Sequence, residues 1–121
     1  MIFVTADSCR SQLEGLTQLL VSVFPGSTIY QHTALQRVSH DVLHHHVDAV
    51  FLEVEADQSN GLDFVQMLRR KKSNLSIFII SETEERREEA LEAGANDYFV
   101  RPVTEQQLRD AFQVVNRECF E

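Results

Sequence analysis

The chain runs to 121 residues, 43% hydrophobic and 25% charged, and its 11 Lys+Arg against 19 Asp+Glu leave a formal charge of −8. That length fits one domain with a single buried core, and the acid excess excludes a sequence-independent nucleic-acid binder, which needs clustered cations. The apolar runs are too short to span a bilayer and no leader pattern opens the chain, so a soluble cytoplasmic protein with Cys9 and Cys119 as free thiols is expected.

Ile2-Phe3-Val4-Thr5 reads as a short strand, after which Leu13, Leu16, Leu20 and Val23 recur at helical spacing until Pro25-Gly26 ends the helix. The more polar residues 27–31 predict a second strand at a sheet edge. Thr33-x-x-Gln36 has the form of a capping box opening a helix with Leu35, Val38 and Val42 on its buried stripe. On that helix His40 and His44 have a zinc-ligand spacing, but no third ligand converges in sequence, which favours a solvated helix end. Residues 49–52 form the third strand, stopped by the carboxylate of Glu53. Asn60-Gly61 leads into a helix carrying Leu62, Val65 and Leu68, and the run Arg69-Arg70-Lys71-Lys72 at its end complements the helix dipole.

Residues 75–80 predict a fourth strand, continuously apolar as a strand buried on both faces should be. Residues 84–93 form an acidic helix closed by Gly94 as a left-handed cap; its charged face is either solvated or part of a dimer surface. Residues 98–100 form the fifth strand. After Pro102, Thr104-x-x-Gln107 is a second capping box, Val103 can staple onto Leu108, and Leu108, Ala111, Phe112 and Val115 make the last buried stripe.

Five strand-helix units across residues 1–121 predict an α/β fold: a flavodoxin-like, doubly wound, parallel five-stranded sheet of order 2-1-3-4-5 with helices on both faces. Ligands of such sheets sit beyond the carboxyl ends of the strands. Those ends carry Ala6-Asp7, Glu53, Ser81 and Arg101. Two carboxylates suit a hard cation such as Mg²⁺, while Ser81 and Arg101 suit a tetrahedral anion. The plainer reading is that Arg101 pairs with the two acids and closes the end of the sheet.

Four stretches carry a resemblance that spans nearly the whole chain: "IFVTADS", "VDAVFLEVEADQSNGLDF", "IFIISETEE" and "ALEAGANDYFVRPVTEQQL". In order, they resemble the receiver domain of bacterial two-component response regulators, the CheY-like family. The resemblance implies a phosphorelay module rather than an enzyme. Glu53 takes the position of the phosphoacceptor aspartate, Asp7 that of the second residue of an acidic pair, and Ser81 that of the hydroxyl residue. Tyr98 takes that of the switching aromatic, and Arg101 that of the lysine before a proline, Pro102, which often follows a cis peptide. Any Mg²⁺ would be held weakly, by Asp7, Glu53 and the carbonyl of Glu55. The implied partners are a histidine kinase or another signalling protein, an output domain beyond residue 121, and a second copy through helix 4, strand 5 and helix 5. Neither nucleic acid nor membrane is implied for the domain itself.

Three departures fall in one pocket: Ala6 for the first acid, Glu53 for aspartate and Arg101 for lysine. Glutamate carries its carboxylate outward by about 1.5 Å, and a misplacement near 1 Å can cost about a hundredfold in rate. An arginine fork grips a carboxylate at two points, which lysine cannot. Ala6 removes metal support, and Glu82 adds charge at the pocket mouth. The expectation is a receiver independent of phosphorylation, with a Glu53–Arg101 ion pair standing in for the phosphorylated state. The alternative is a slow, Mg²⁺-dependent receiver. From another class comes a flavodoxin-like flavin-binding or phosphatase enzyme, disfavoured because "ADSCRSQ" offers no glycine to cradle a phosphate.

Overall fold

A computed structural model describes residues 1–54 and 60–120, without the side chains of Asn60 and residues 114–120. Glu55, Val115 and the Cys119 thiol lie outside that description. The strands are β1 (Ile2–Ala6), β2 (Thr28–His32), β3 (Ala49–Glu53), β4 (Ser76–Ser81) and β5 (Asp97–Val100). The helices are α1 (Arg10–Val23), α2 (Val38–His44), α3 (Asn60–Lys71), α4 (Arg87–Ala93) and α5 (Glu105–Phe120), with a short 3₁₀ turn, Leu35–Arg37, before α2. All pairings are parallel and the order is β2-β1-β3-β4-β5, as expected.

Alternation along the strands sorts the core into two layers. Phe3, Phe51, Phe78, Ile80 and Phe99 pack with Leu20 and Val23 of α1 and Leu108, Ala111 and Phe112 of α5. Val4, Val50, Leu52, Ile77 and Ile79 pack with α2, α3 and α4 through Val38, Val42, Val65, Leu68 and Ala90. Each such Val, Leu, Ile or Phe side chain, fully buried, contributes about 1.5–3 kcal/mol. Among the described residues no helix is long and apolar enough to cross a membrane.

The ends of the elements test the local readings. At α5 the capping box forms reciprocally: the Thr104 N–H donates to Gln107 Oε1 at 2.9 Å and the Gln107 N–H to Thr104 Oγ1 at 3.2 Å. Val103 packs on the layer that holds Leu108, as a staple should. Gly94 adopts φ +121°, and the Gly94 and Ala95 N–H groups return to the carbonyls of Leu91 and Ala90, the paired bonds of a Schellman cap. The box expected at Thr33 and Gln36 does not form: Ala34 takes the cap position of a 3₁₀ turn and α2 starts only at Val38, neither with a side-chain cap. The acidic helix expected from residue 84 starts at Arg87, because residues 84–86 form a turn closed by the Arg87 N–H on the Glu84 carbonyl.

Candidate functional site at the carboxyl end of the sheet

The parallel register brings Asp7, just past β1, beside Glu53 at the end of β3, with Ser81 ending β4 and Arg101 just past β5. The Arg101–Pro102 peptide is cis, and the Arg101 N–H donates to the Ser81 carbonyl at 3.0 Å, which ties the last two positions together. Asp7 is 7% exposed and Ser81 1%. Beside them lies a cavity of about 330 Å³ lined by Ser8, Cys9, Gln12, Glu53, Val54, Ser81, Glu82, Thr83 and Arg101.

Within it the charges pair differently from the sequence expectation. Arg101 does not grip Glu53. Its Nη2 donates to Asp7 Oδ2 and its Nη1 to Glu82 Oε1, the latter at 2.6 Å. Glu53 turns instead to the β1–α1 loop, where its Oε2 accepts the Ser8 N–H at 2.8 Å and the Ser8 hydroxyl at 3.1 Å. The extra methylene lets the carboxylate reach the neutral donor pair just past the neighbouring β1, while Asp7, shorter and deeper, keeps the cation. Asp7 Oδ1 accepts the Cys9 N–H at 2.8 Å, which fixes the loop. The plainer reading thus holds for one of the two acids.

The two carboxyls lean on each other and are pushed in opposite directions. Burial, a hydrogen bond with Glu53 and the Glu53 charge push Asp7 up to about 6, against the pull of the Cys9 N–H and Arg101. Glu53 moves the other way: burial works to raise it, but hydrogen bonds from Asp7 and from both Ser8 donors outweigh that and hold it below the usual carboxylate range. Below about pH 6 Asp7 is increasingly protonated; above it, Asp7 is the carboxylate that Arg101 grips.

Magnesium takes about six oxygens in octahedral array. Here both Asp7 oxygens and Glu53 Oε2 already accept hydrogen bonds, and a guanidinium occupies the outer edge of Asp7. Among the described residues no group of three His, Cys, Asp or Glu could hold a metal ion. The described residues do not fit Mg²⁺ while Arg101 holds Asp7. Glu55, the remaining expected ligand, lies outside the described residues.

Tyr98 is 1% exposed, fully buried. Its hydroxyl donates to the Thr83 carbonyl, and the Arg87 guanidinium lies 5.1 Å from the ring centroid. Sequence reasoning missed Ser8 as the partner of Glu53, Thr83 as the acceptor of Tyr98 and Arg87 as its cover. Ser8 alone left a signal, a hydroxyl directly after a strand-ending acid.

Strand order and this convergence of polar groups at the carboxyl ends of four strands place the chain in the flavodoxin-like class with CheY topology. The family model of the response regulator receiver domain matches residues 3–113, and the chain belongs to that family. Its fold is similar to a response regulator receiver domain protein from Clostridium thermocellum, at TM-score 0.82 and 18% identity over 98% of this chain and 97% of that one. It is also similar to a two-component response regulator from Clostridium difficile, at TM-score 0.81 and 17% identity over 100% and 99% of the two chains. A putative pilus assembly-related protein from Burkholderia pseudomallei matches at TM-score 0.81 and 18% identity, over 95% of this chain and 88% of that one. No curated protein sequence matches the chain.

Proposed function

We propose that this receiver module works in two-component signalling without depending on phosphorylation, and that Glu53 stands where the family keeps its acceptor aspartate. The observation that carries the reading is the Arg101 bridge between Asp7 and Glu82. It puts a fixed positive charge where a metal ion would have to bind, and in-line attack on a phosphodonor needs that metal to neutralise the transferring group. The Ser8 donors pull the Glu53 carboxylate toward the β1–α1 loop, a second obstacle to attack. Buried Tyr98, tied to Thr83, then holds the α4–β5 surface in one arrangement for a signalling partner or a second copy; Leu91 on α4, 44% exposed, is an apolar contact on offer there.

The test is intact mass after incubation with Mg²⁺ and acetyl phosphate, for wild type beside Glu53→Asp. Wild type and Glu53→Asp, which keeps the Arg101 bridge, are expected to stay unmodified, whereas Glu53→Asp combined with Arg101→Ala gains one phosphoryl group, which would show that glutamate and the arginine together close a pocket otherwise competent. A phosphoryl group mapped to Glu53 in wild type overturns the reading and leaves the slow, Mg²⁺-dependent receiver phosphorylated by a histidine kinase.

A further inference from the structure

Beyond the carboxyl end of the edge strand β2 lies a cavity of about 280 Å³ that the signalling site does not use. Arg10 and Leu13 of α1, Gln31 and His32 of β2, and Thr33, Ala34 and Arg37 of the following turn line it. Its character runs against a chain of net charge −8. Neither the Arg10 nor the Arg37 guanidinium has an ion-pair or hydrogen-bond partner among the described residues, whereas Arg69, Arg87, Arg101 and Arg109 are all paired or bonded. Between them the His32 ring is fixed: its Nε2 meets the carboxylate of Asp41, which is 7% exposed on α2. That contact engages the Asp41 carboxylate and sets the ring's orientation. Buried Leu13 supplies an apolar floor, and the Thr33 hydroxyl and Gln31 amide add neutral donors.

We propose that this cavity binds a small phosphorylated anion, its phosphate oxygens held by the forks of Arg10 and Arg37. Two arginines that line one concavity and have no partner among the described residues match the several oxygens of a phosphate group better than a single carboxylate, which one fork already satisfies. The location gives such a ligand a route to the signalling site: the Asp7 N–H donates to the His32 carbonyl at 3.1 Å, so one backbone hydrogen bond separates the cavity from the Asp7–Arg101 pair. The inference stands apart from the phosphorylation-independent reading and survives its failure.

Isothermal titration calorimetry with inorganic pyrophosphate tests it on three proteins: wild type, Arg10→Gln/Arg37→Gln and Lys71→Gln/Lys72→Gln. The lysine pair lines a separate cavity with His45 and His46, and so controls for general attraction of anions. Arg10 and Arg37 are exposed, so their removal leaves the fold intact, which a thermal melt checks. One saturable site is expected in wild type, weakened about tenfold or more in the arginine variant by the loss of charge-assisted hydrogen bonds, and unchanged in the lysine variant. Absence of saturable binding, binding that survives the arginine substitutions, or equal weakening in both variants overturns the proposal.

Discussion

Two arginines mark the two ends of the sheet, and their partners differ in kind. At the amino end Arg69 gives every bond to a group that cannot change its charge. Its Nε and Nη2 reach the Gly94 carbonyl at 3.0 and 2.7 Å, Nη1 reaches those of Ser73 and Leu75 at 2.9 and 2.6 Å, and Nη2 also reaches Asn96 Oδ1 at 2.8 Å. Burial pulls its pKa down. At the carboxyl end Arg101 holds two carboxylates, one of which is pushed up to about 6 by burial and by a third, Glu53. An arginine among carbonyls caps helices and fastens loops; an arginine among acids sits in an equilibrium that protons, metals or partners can shift. The first arrangement builds the fold and the second leaves something to regulate.

Breaking the rigid end should cost most. Arg69→Met keeps the aliphatic stem but strands the carbonyls that end α3 and α4, and is expected to lower unfolding free energy by about 2–4 kcal/mol in urea titrations. A loss within 0.5 kcal/mol would mean that water replaces the guanidinium. Next comes Gly94→Ala: φ there is +121° and an added Cβ would meet Arg69 Cβ and Cγ at 3.0 Å. Strain and crowding together should cost about 1–2 kcal/mol, read by the same titration.

At the responsive end the expected effect is smaller and depends on pH. Asp7 is raised to about 6 from 3.8, so the native state binds a proton that the unfolded chain has released. Its contribution is full below about pH 4 and is lost as pH rises through about 6. Wild type should therefore lose stability relative to Asp7→Asn as pH rises between those values. Parallel stability curves for the two proteins would show that Asp7 titrates normally and that Arg101, not burial beside Glu53, governs it.

Most of the fold was legible because burial on both faces writes continuous apolar runs into β3 and β4, and helical spacing into α1, α3 and α5. The two capping boxes share a pattern, yet only Thr104 forms one. There Pro102 and Val103 set the chain up for a helix, whereas Thr33 leaves an edge strand directly into a 3₁₀ turn. The positions of the site were legible from the strand ends. Its pairing was not, since whether Arg101 meets Glu53 or Asp7 turns on a single methylene and on the Ser8 donors just past β1. Arg69 reads as one cation of four at a helix end, because its acceptors are carbonyls up to 25 residues away and carbonyls carry no signature in sequence.

The most direct test of the Arg101 claim is a Mg²⁺ titration followed through backbone amide shifts of Asp7, Ser8 and Glu53, in wild type and Arg101→Ala. If the guanidinium holds the cation's place, wild type shows no saturable shift at millimolar Mg²⁺ and the variant gains one. Saturable binding in wild type, undiminished beside the variant, would contradict it.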